Sequence, residues 1–298
     1  GVRTNFDRDV ASMPYAGKAV RVFITGLCGG HSGEDIDRCR ANALKIGARL
    51  YCSLSDISGV HLISIHGGNK DNAIPRECEM IIATEDSSGV LDRIKRMTAV
   101  IAAELCRDDA AFRVDTSVMD FAGDRMSDAD ENSMISLLRI VPCGPLAMSA
   151  DLPGLVETSS NTAVVDADAR HAHLTVSSRS SVESRLDASM LELDTLAAAL
   201  GCSSRHYSRY PGWDYAPVSP LRDAYLSAYE RVTGKTAEVM AIHAGLECGL
   251  MRSAIPDLDI ISIGPGMRDI HSPCEALDLA SFARCFDIVC RLISKKRA

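Results

Sequence analysis

Several signatures that would fix a class of function are missing from this sequence of 298 residues. No apolar run approaches the roughly 20 residues of a membrane-spanning helix, so no membrane partner is expected. The eleven cysteines form no C-x-x-C pair, which argues against a zinc-finger type of structural site. The glycine-rich stretch from Gly26 to Gly33 lacks the G-K-[ST] ending of a phosphate-binding loop.

The residues that are present have the balance of an ordinary globular protein, with 46% hydrophobic and 24% charged residues. The net charge is −8, from 32 basic and 40 acidic residues, which argues against nucleic acid as a partner. An odd number of scattered cysteines is typical of reduced thiols and predicts a cytoplasmic location. The length predicts two domains, or one domain with a large insertion.

The first 207 residues alternate between strand-like and helix-like patterns. Residues 1–18 are predicted to be an irregular lead-in from another domain, and residues 19–25 alternate as a strand does. From there to residue 122 the order β-α-β-β-α-β is that of a ferredoxin-like unit. An acidic linker is predicted at 123–132, and similar elements recur over 131–207, so we expect two α/β sandwich units.

A break in the pattern, at the sequence Y-P-G-W near residue 210, predicts a second domain over residues 208–298. Ser219, Pro220 and Gly234 occupy the positions of a helix N-cap, a first helical residue and a helix stop. Further on, apolar runs at 239–242 and 259–263 predict two buried strands.

Five motifs follow one another along the chain: G-G-H-S-G, N-A-I-P-R-E, V-E-T-S-S-N, Y-P-G-W and a C-terminal stretch with I-H-A-G-L-E-C-G-L, S-I-G-P and H-S-P-C-E. Each is weak alone, but together and in this order they resemble the aminoacyl-histidine dipeptidases, a branch of the two-zinc exopeptidase superfamily. The resemblance runs from about Val20 to Arg291. It implies an α/β fold in which two ferredoxin-like units form a lid, over residues 19–207, followed by a partial α/β catalytic layer.

The resemblance implies hydrolysis of Xaa-His dipeptides by a water that two zinc ions activate. His271 matches the last zinc ligand of the family. The other ligands of the family come from an H-x-D motif, a bridging Asp, a Glu-Glu pair and a further Asp, but this sequence contains no H-x-D and no Glu-Glu. We therefore expect a lid and C-terminal part without the N-terminal metal half, which alone holds no tightly bound zinc and has no activity.

Two lid residues receive the central roles from this resemblance, and each has a simpler alternative. His31 would donate a hydrogen bond to the developing oxyanion, or it could be a solvent-exposed turn histidine. Arg179 would grip a substrate carboxylate through its bidentate guanidinium, or it could be an exposed surface arginine.

The remaining substrate-binding predictions are Asn72, Asn161, His243 and Glu247. The two asparagines could instead make ordinary turn hydrogen bonds, and Glu247 could simply stabilise a helix start. The family implies a dipeptide as substrate and allows a homodimer through the lid.

Two other classes of function stay open on the sequence. The missing metal half would also fit a non-catalytic α/β module for oligomerisation or binding. A thiol hydrolase could use Cys28 or Cys248 with a neighbouring histidine, but it would need an activated thiolate.

Overall fold

The computed structural model describes residues 1–213, 215–240, 247–268 and 275–294. They divide into two compact units, Gly1–Gly212 (unit 1) and the described residues from Trp213 onward (unit 2). His243 and His271 lie outside the described residues, so their roles stay predictions. Among the described helices, none is both long and apolar enough to cross a membrane.

Unit 1 is built on one antiparallel sheet of nine strands. In chain order the strands of the unit are β1 (Val2–Asp9), β2 (Ser12–Thr25), β3 (Gly30–His31), β4 (His61–Gly67), β5 (Ala73–Ile74), β6 (Cys78–Thr84), β7 (Arg113–Met126), β8 (Gly144–Met148), β9 (Val156–Ala167), β10 (His171–Ser180) and β11 (Ser203–Tyr207). The helices are α1 (Ala43–Cys52), α2 (Ser87–Glu104), α3 (Asp128–Ile140) and α4 (Glu183–Leu200). The sheet runs β11-β1-β10-β9-β4-β6-β2-β7, with β8 beside β9, while β3 and β5 pair separately.

The first half of this sheet has the predicted ferredoxin-like order, β2-α1-β4-β6-α2-β7. Val20, Val22 and Ile24 alternate along β2 and are fully buried, as the strand pattern predicts. Asn42 caps α1 because its side chain accepts hydrogen bonds from the backbone of the first helical turn.

The second half, β9, β10, β1 and β11, continues the same sheet. The two halves meet where β4 pairs with β9, through three residue pairs only: Ile65↔Ala167, His66↔Asp166 and Gly67↔Val165. The predicted α/β class is confirmed. The two expected sandwich units, however, share one sheet instead of forming two.

The irregular lead-in predicted for residues 1–18 is wrong. Residues 2–9 form β1, which lies between β10 and β11, and β2 already begins at Ser12. Val2, Thr4 and Phe6 alternate as buried residues in β1. The polar residues between them hid this pattern, and both partner strands come some 170–200 residues later in the chain.

The linker predicted at 123–132 is also wrong, because β7 extends to Met126 and α3 begins at Asp128. Ser127 caps α3 by accepting from the backbone N–H of Asp130. Three of the four acidic residues that suggested a solvated linker lie in the first helical turn, where negative charge is favourable.

Unit 2 contains α5 (Pro220–Thr233), α6 (Glu247–Ala254), α7 (Leu279–Ile293) and the paired strands β12 (Met267–Arg268) and β13 (Ala276–Leu277). The predicted cap Ser219 and stop Gly234 are confirmed, since Ser219 accepts from Arg222 and Gly234 is left-handed at φ +68°. The strand predicted at 259–263 is wrong. A strand forms only beside a partner, and among the described residues none pairs with this segment.

Candidate functional site

His31 lies in β3, at the end of the glycine-rich turn that follows β2. Gly29 has φ +65° there, and a Cβ on it would lie 2.8 Å from the carbonyl oxygen of Ile74. The backbone N–H groups of Gly33 and Glu34 both donate to His31 Nδ1, each at 3.2 Å. Since Nδ1 accepts, the neutral ring carries its proton on Nε2, which leaves Nε2–H as the donor for another group.

The two predicted asparagines contact the same turn. Asn72 precedes β5, and its backbone carbonyl accepts from the N–H of Ser32 at 2.8 Å. Asn161 lies in β9, is 1% exposed and donates from Nδ2 to the carbonyl of Ala73 at 2.8 Å. Its Oδ1 accepts from Asn42 Nδ2 at 3.3 Å. Asn161 therefore helps to hold the β3–β5 turn in place, and a role of either asparagine in substrate binding stays a prediction.

Arg179, near the end of β10, is only 8% exposed, so the alternative of an exposed surface arginine is wrong. Its Nη1 donates to the hydroxyl of Tyr210 at 2.9 Å, and its buried Nε has no hydrogen-bond partner. Within the described ranges, no carboxylate lies within salt-bridge distance of this guanidinium. A buried charge without a counter-ion is costly, so the site favours an anionic group.

His31 and Arg179 are close enough to interact electrostatically. Burial lowers the pKa of His31 below its usual 6.5, and the positive charge of Arg179 lowers it further, against the opposing effect of Glu34 and Asp35. The imidazole is therefore neutral near pH 7. The fold thus places a neutral imidazole donor and a buried cation within electrostatic range of each other, although 148 residues separate them in the sequence.

The other predicted residues are less informative. Glu247 is the first residue of α6 and is exposed. Neither Cys28 nor Cys248 hydrogen-bonds a histidine among the described residues, and burial raises the pKa of Cys248, which disfavours its thiolate. The geometry therefore offers no support for a thiol hydrolase.

One group among the described residues has three potential metal-ligand atoms within 4.8 Å of one another, namely His61, Asp128 and Glu131. Asp128 already binds Arg125 at 2.6 Å, and Glu131 accepts from the N–H of Leu62 at 2.9 Å and from the Tyr51 hydroxyl. The positive charge beside these carboxylates thus comes from Arg125, where a metal ion would otherwise supply it. The described residues do not assemble the two-zinc centre that the motifs imply.

Sequence reasoning missed two residues that shape the site. Tyr210 holds Arg179, and Asp35 accepts from the backbone N–H of His31 at 2.8 Å. Tyr210 begins the Y-P-G-W motif, which could have identified it. Asp35 lies four residues after His31, but only the folded turn brings its carboxylate back to that N–H.

Comparison with known proteins shows which proteins this chain is similar to. Residues 24–107 match the peptidase dimerisation domain, M20_dimer. Over 296 residues the chain is 30% identical to the cytosol non-specific dipeptidase of Escherichia coli (strain K12), a match that covers 98% of this chain and 61% of that protein.

A solved structure gives the same result for the fold. The crystal structure of the aminoacylhistidine dipeptidase from Vibrio alginolyticus matches with a TM-score of 0.89 and 27% identity, over 100% of this chain and 62% of that one. The chain therefore spans about three fifths of the length of both relatives. The resemblance predicted from the motifs is confirmed: the chain carries the dimerisation domain of M20 peptidases at residues 24–107 and is similar along nearly all its length, in sequence and fold, to dipeptidases.

Proposed function

We propose that this chain is the lid and C-terminal part of a metal-dependent dipeptidase that acts on Xaa-His substrates in the cytoplasm. The observation that carries the proposal is the buried guanidinium of Arg179, which has no carboxylate partner among the described residues and lies within electrostatic range of a neutral His31. A dipeptide offers what these two residues lack, namely a terminal carboxylate and a carbonyl oxygen that becomes an oxyanion. The whole-length similarity to two dipeptidases supports the same class of reaction.

In this proposal Arg179 binds the substrate carboxylate, and His31 donates its Nε2 proton to a hydrogen bond with the oxyanion. Asn72, Asn161, His243 and Glu247 are proposed to contact the polar groups of the substrate. His271 is proposed as a zinc ligand. Because the described residues do not form the two-zinc centre, we assign no catalytic step to the metal.

The preference for Xaa-His is a separate part of the proposal with its own test. One relative is described as a non-specific dipeptidase and the other as an aminoacylhistidine dipeptidase. A panel of dipeptides with and without a C-terminal histidine, assayed on the full-length parent protein, distinguishes these possibilities through kcat/KM.

The test of the site is the substitution Arg179→Met in the full-length parent protein. Loss of one or two charge-assisted hydrogen bonds is expected to lower kcat/KM about 10- to 100-fold. Arg179→Lys should rescue only weakly, because an ammonium cannot make a bidentate contact. The matched control is Arg185→Met, since Arg185 is 57% exposed and binds Glu157 at 2.7 Å.

The stability of the Arg179→Met variant distinguishes a role of Arg179 in substrate binding from a role in stabilising the fold. Because Arg179 has an unpaired Nε and no counter-ion in the part of the chain that the structure describes, its replacement by an apolar side chain should change Tm little. Unchanged kcat/KM in Arg179→Met, or a large loss of Tm with unchanged kcat/KM, would overturn the role in substrate binding.

The dimerisation-domain match favours a second function, a non-catalytic oligomerisation module. Both functions predict a homodimer through unit 1, whereas only the first predicts turnover by the full-length protein. A full-length protein that dimerises but hydrolyses no dipeptide in the presence of zinc would leave the module as the better explanation.

A further inference from the structure

The face of the unit 1 sheet that lies opposite the hydrophobic core carries a cluster of imidazoles and carboxylates that the proposed function does not use. In β10, Ala172 and Leu174 are buried in the core. His171 and His173 alternate with them and therefore lie on the other face of the sheet. Both are at least a quarter exposed.

The strand register lines these groups up across four neighbouring strands. His66 in β4 is opposite Asp166 in β9, Asp166 is opposite His173 in β10, and His173 is opposite Asp7 in β1. His171 lies two residues before His173 and joins the row from the same face. Histidine and aspartate thus alternate directly across the place where the two halves of the sheet meet.

The contacts at this seam are short and open to solvent. His66 Nδ1 lies 2.6 Å from Asp166 Oδ1, and His171 Nε2 lies 3.4 Å from Asp166 Oδ2. On its other side, His171 Nδ1 lies 3.3 Å from Asp168 Oδ1. The four side chains are 39–54% exposed, so they can rotate and a dissolved ion can reach them.

The charge at the seam is not balanced by a basic side chain. Within the described residues, no lysine or arginine forms a salt bridge with Asp166 or Asp168. Although burial opposes it, hydrogen bonds from His66 and His171 lower the pKa of Asp166, and backbone N–H groups lower that of Asp168. When both imidazoles are neutral, the four side chains of His66, Asp166, His171 and Asp168 carry a net charge of −2. In the His61 trio, by contrast, Arg125 already neutralises part of the negative charge.

We propose that His66, Asp166 and His171 bind a divalent transition-metal ion of the zinc type. Imidazole and carboxylate are ligands that such ions prefer. In a tetrahedral site with bonds of about 2.0–2.2 Å, ligand atoms lie about 3.3 Å apart. His171 Nε2 and Asp166 Oδ2 already have this separation.

His66, Asp166 and His171 do not have three ligand atoms within 4.8 Å of one another, as the His61 trio does, so completion of the site needs one movement. His66 must rotate from its hydrogen bond with Asp166 so that a ring nitrogen reaches the ion, which its 45% exposure permits. Asp168 would then hold Nδ1–H of His171 in the second shell, an arrangement that is common around metal-bound histidines.

Such an ion would cross-link the two halves of the sheet. Its ligands come from β4, β9 and β10, and β4 and β9 share only three residue pairs. Binding to the folded state alone raises stability. This inference goes beyond the proposed peptidase function and does not depend on it.

The test is a titration of the full 298-residue chain with zinc after treatment with a chelator. Calorimetry is expected to show one more equivalent in the wild type than in the double variant His66→Ala, His171→Ala, and zinc should raise Tm in the wild type only. Each single substitution should weaken binding about tenfold or more. Two controls, His61→Gln and His271→Ala, should retain the seam equivalent.

The conservative variant His171→Gln guards against a folding defect, because it leaves the pair of His66 and Asp166 intact. Its metal-free Tm should equal that of the wild type while its zinc affinity falls. Equal zinc stoichiometry and affinity in the wild type and the double variant would overturn the proposal. Loss of the equivalent in His61→Gln alone would assign the ion to the other trio and overturn it as well.

Discussion

The environment of His31 makes a prediction that can be measured without turnover. Its pKa is expected to lie below 6.5 in the wild type, because burial and the charge of Arg179 both disfavour the imidazolium. Arg179→Met removes the second cause, so the His31 pKa should rise in that variant. Histidine NMR resonances followed against pH provide the measurement, and an unchanged His31 pKa would show that the two residues are not coupled.

The lowered pKa of His31 also makes the stability of the fold depend on pH. A histidine whose pKa is lowered on folding contributes stability above its unfolded value, and this stability is lost as the pH falls toward the folded pKa. The Arg179→Met variant should therefore lose less stability than the wild type as the pH falls below 6.5, other groups being equal.

Lys45 makes a second prediction at the scale of one residue. Its ammonium donates to the carbonyl of Leu138 at 2.6 Å and to that of Val141, where α3 ends. These carbonyls favour the charged form, yet burial lowers the pKa of Lys45 from 10.5 to about 8. Between those two pH values the unfolded chain binds more protons than the folded chain, so stability should rise with pH.

Lys45→Met isolates this effect, because other groups titrate equally in both proteins. Relative to the variant, the wild type should gain roughly 1–3 kcal/mol of unfolding free energy between about pH 8 and 10.5. Denaturant unfolding at a series of pH values measures the difference. A difference that is constant or falls with pH would contradict the lowered pKa.

The motif resemblance singled out some residues of the site but not their surroundings. His31 and Arg179 were named because of their places in family-like motifs, since the glycine-rich turn and the strand end alone fit exposed residues equally well. Neither pattern could reveal that Arg179 is buried and held by Tyr210, because β10 and the chain after β11 meet only in the folded unit. Burial of a charged residue depends on tertiary contacts, whereas the default for arginine is exposure.

At the scale of elements, β7 is an edge strand suited to pair with a second copy. It has 14 residues, is the last strand of the sheet and pairs only with β2 among the described strands. Val118 and Met119 are 45% and 38% exposed on it. A long exposed edge offers unpaired backbone groups to which another strand can bind. We therefore expect the proposed homodimer to form through β7.

Proline substitutions at neighbouring positions test this interface and control for each other. N–H groups alternate along a strand between the two edges, so only one of Val118→Pro and Met119→Pro removes an outward donor. That variant should become monomeric with little loss of Tm, while the other should lose Tm by breaking a bond to β2. Light scattering after gel filtration measures the mass, and a dimer in both variants would exclude this edge.

The helix α7 makes a separate prediction. Phe282, Phe286, Val289 and Ile293 are 38–78% exposed and lie along one side of the helix. Such an apolar stripe promotes association, so the isolated chain should bind a hydrophobic dye and self-associate. Phe282→Ser with Phe286→Ser should reduce both, whereas Leu191→Ser, a single exposed leucine of α4, should not. Equal dye binding in all three proteins would contradict the prediction.

Periodicity predicted the elements that are regular along their own length. The central strands β2 and β9, the helix α4 and the capped helix α5 all follow from patterns within a few residues. β1 could not be recognised in this way, because its partners lie far along the chain. The segment 259–263 shows the reverse error, since an apolar run does not become a strand without a paired neighbour, and none of the described residues pairs with it.

At the scale of the whole molecule, the repeated order of elements corresponds to two halves of one sheet and not to two separate sandwich units. Each half has its own strands and helices, and the join is three residue pairs long. Few backbone hydrogen bonds join β4 and β9 at this place. The proposed metal ion would add a second link between the two halves of the sheet. The same join explains why two separate sandwich units were expected, since periodicity describes each half but not the pairing of β4 with β9.

The last prediction concerns the activity of the isolated chain. It spans about three fifths of the length of its dipeptidase relatives, has no H-x-D motif and no Glu-Glu pair, and offers His271 alone as a matching zinc ligand. A single imidazole cannot replace the roughly three protein ligands of a catalytic zinc. The isolated chain, dialysed against a chelator, should therefore retain no zinc, since the proposed seam site exchanges its ion with solvent. It should also hydrolyse no Xaa-His dipeptide when zinc is added back. Elemental analysis and a hydrolysis assay measure both, and turnover with two retained zinc equivalents would show that this chain contains a complete ligand set.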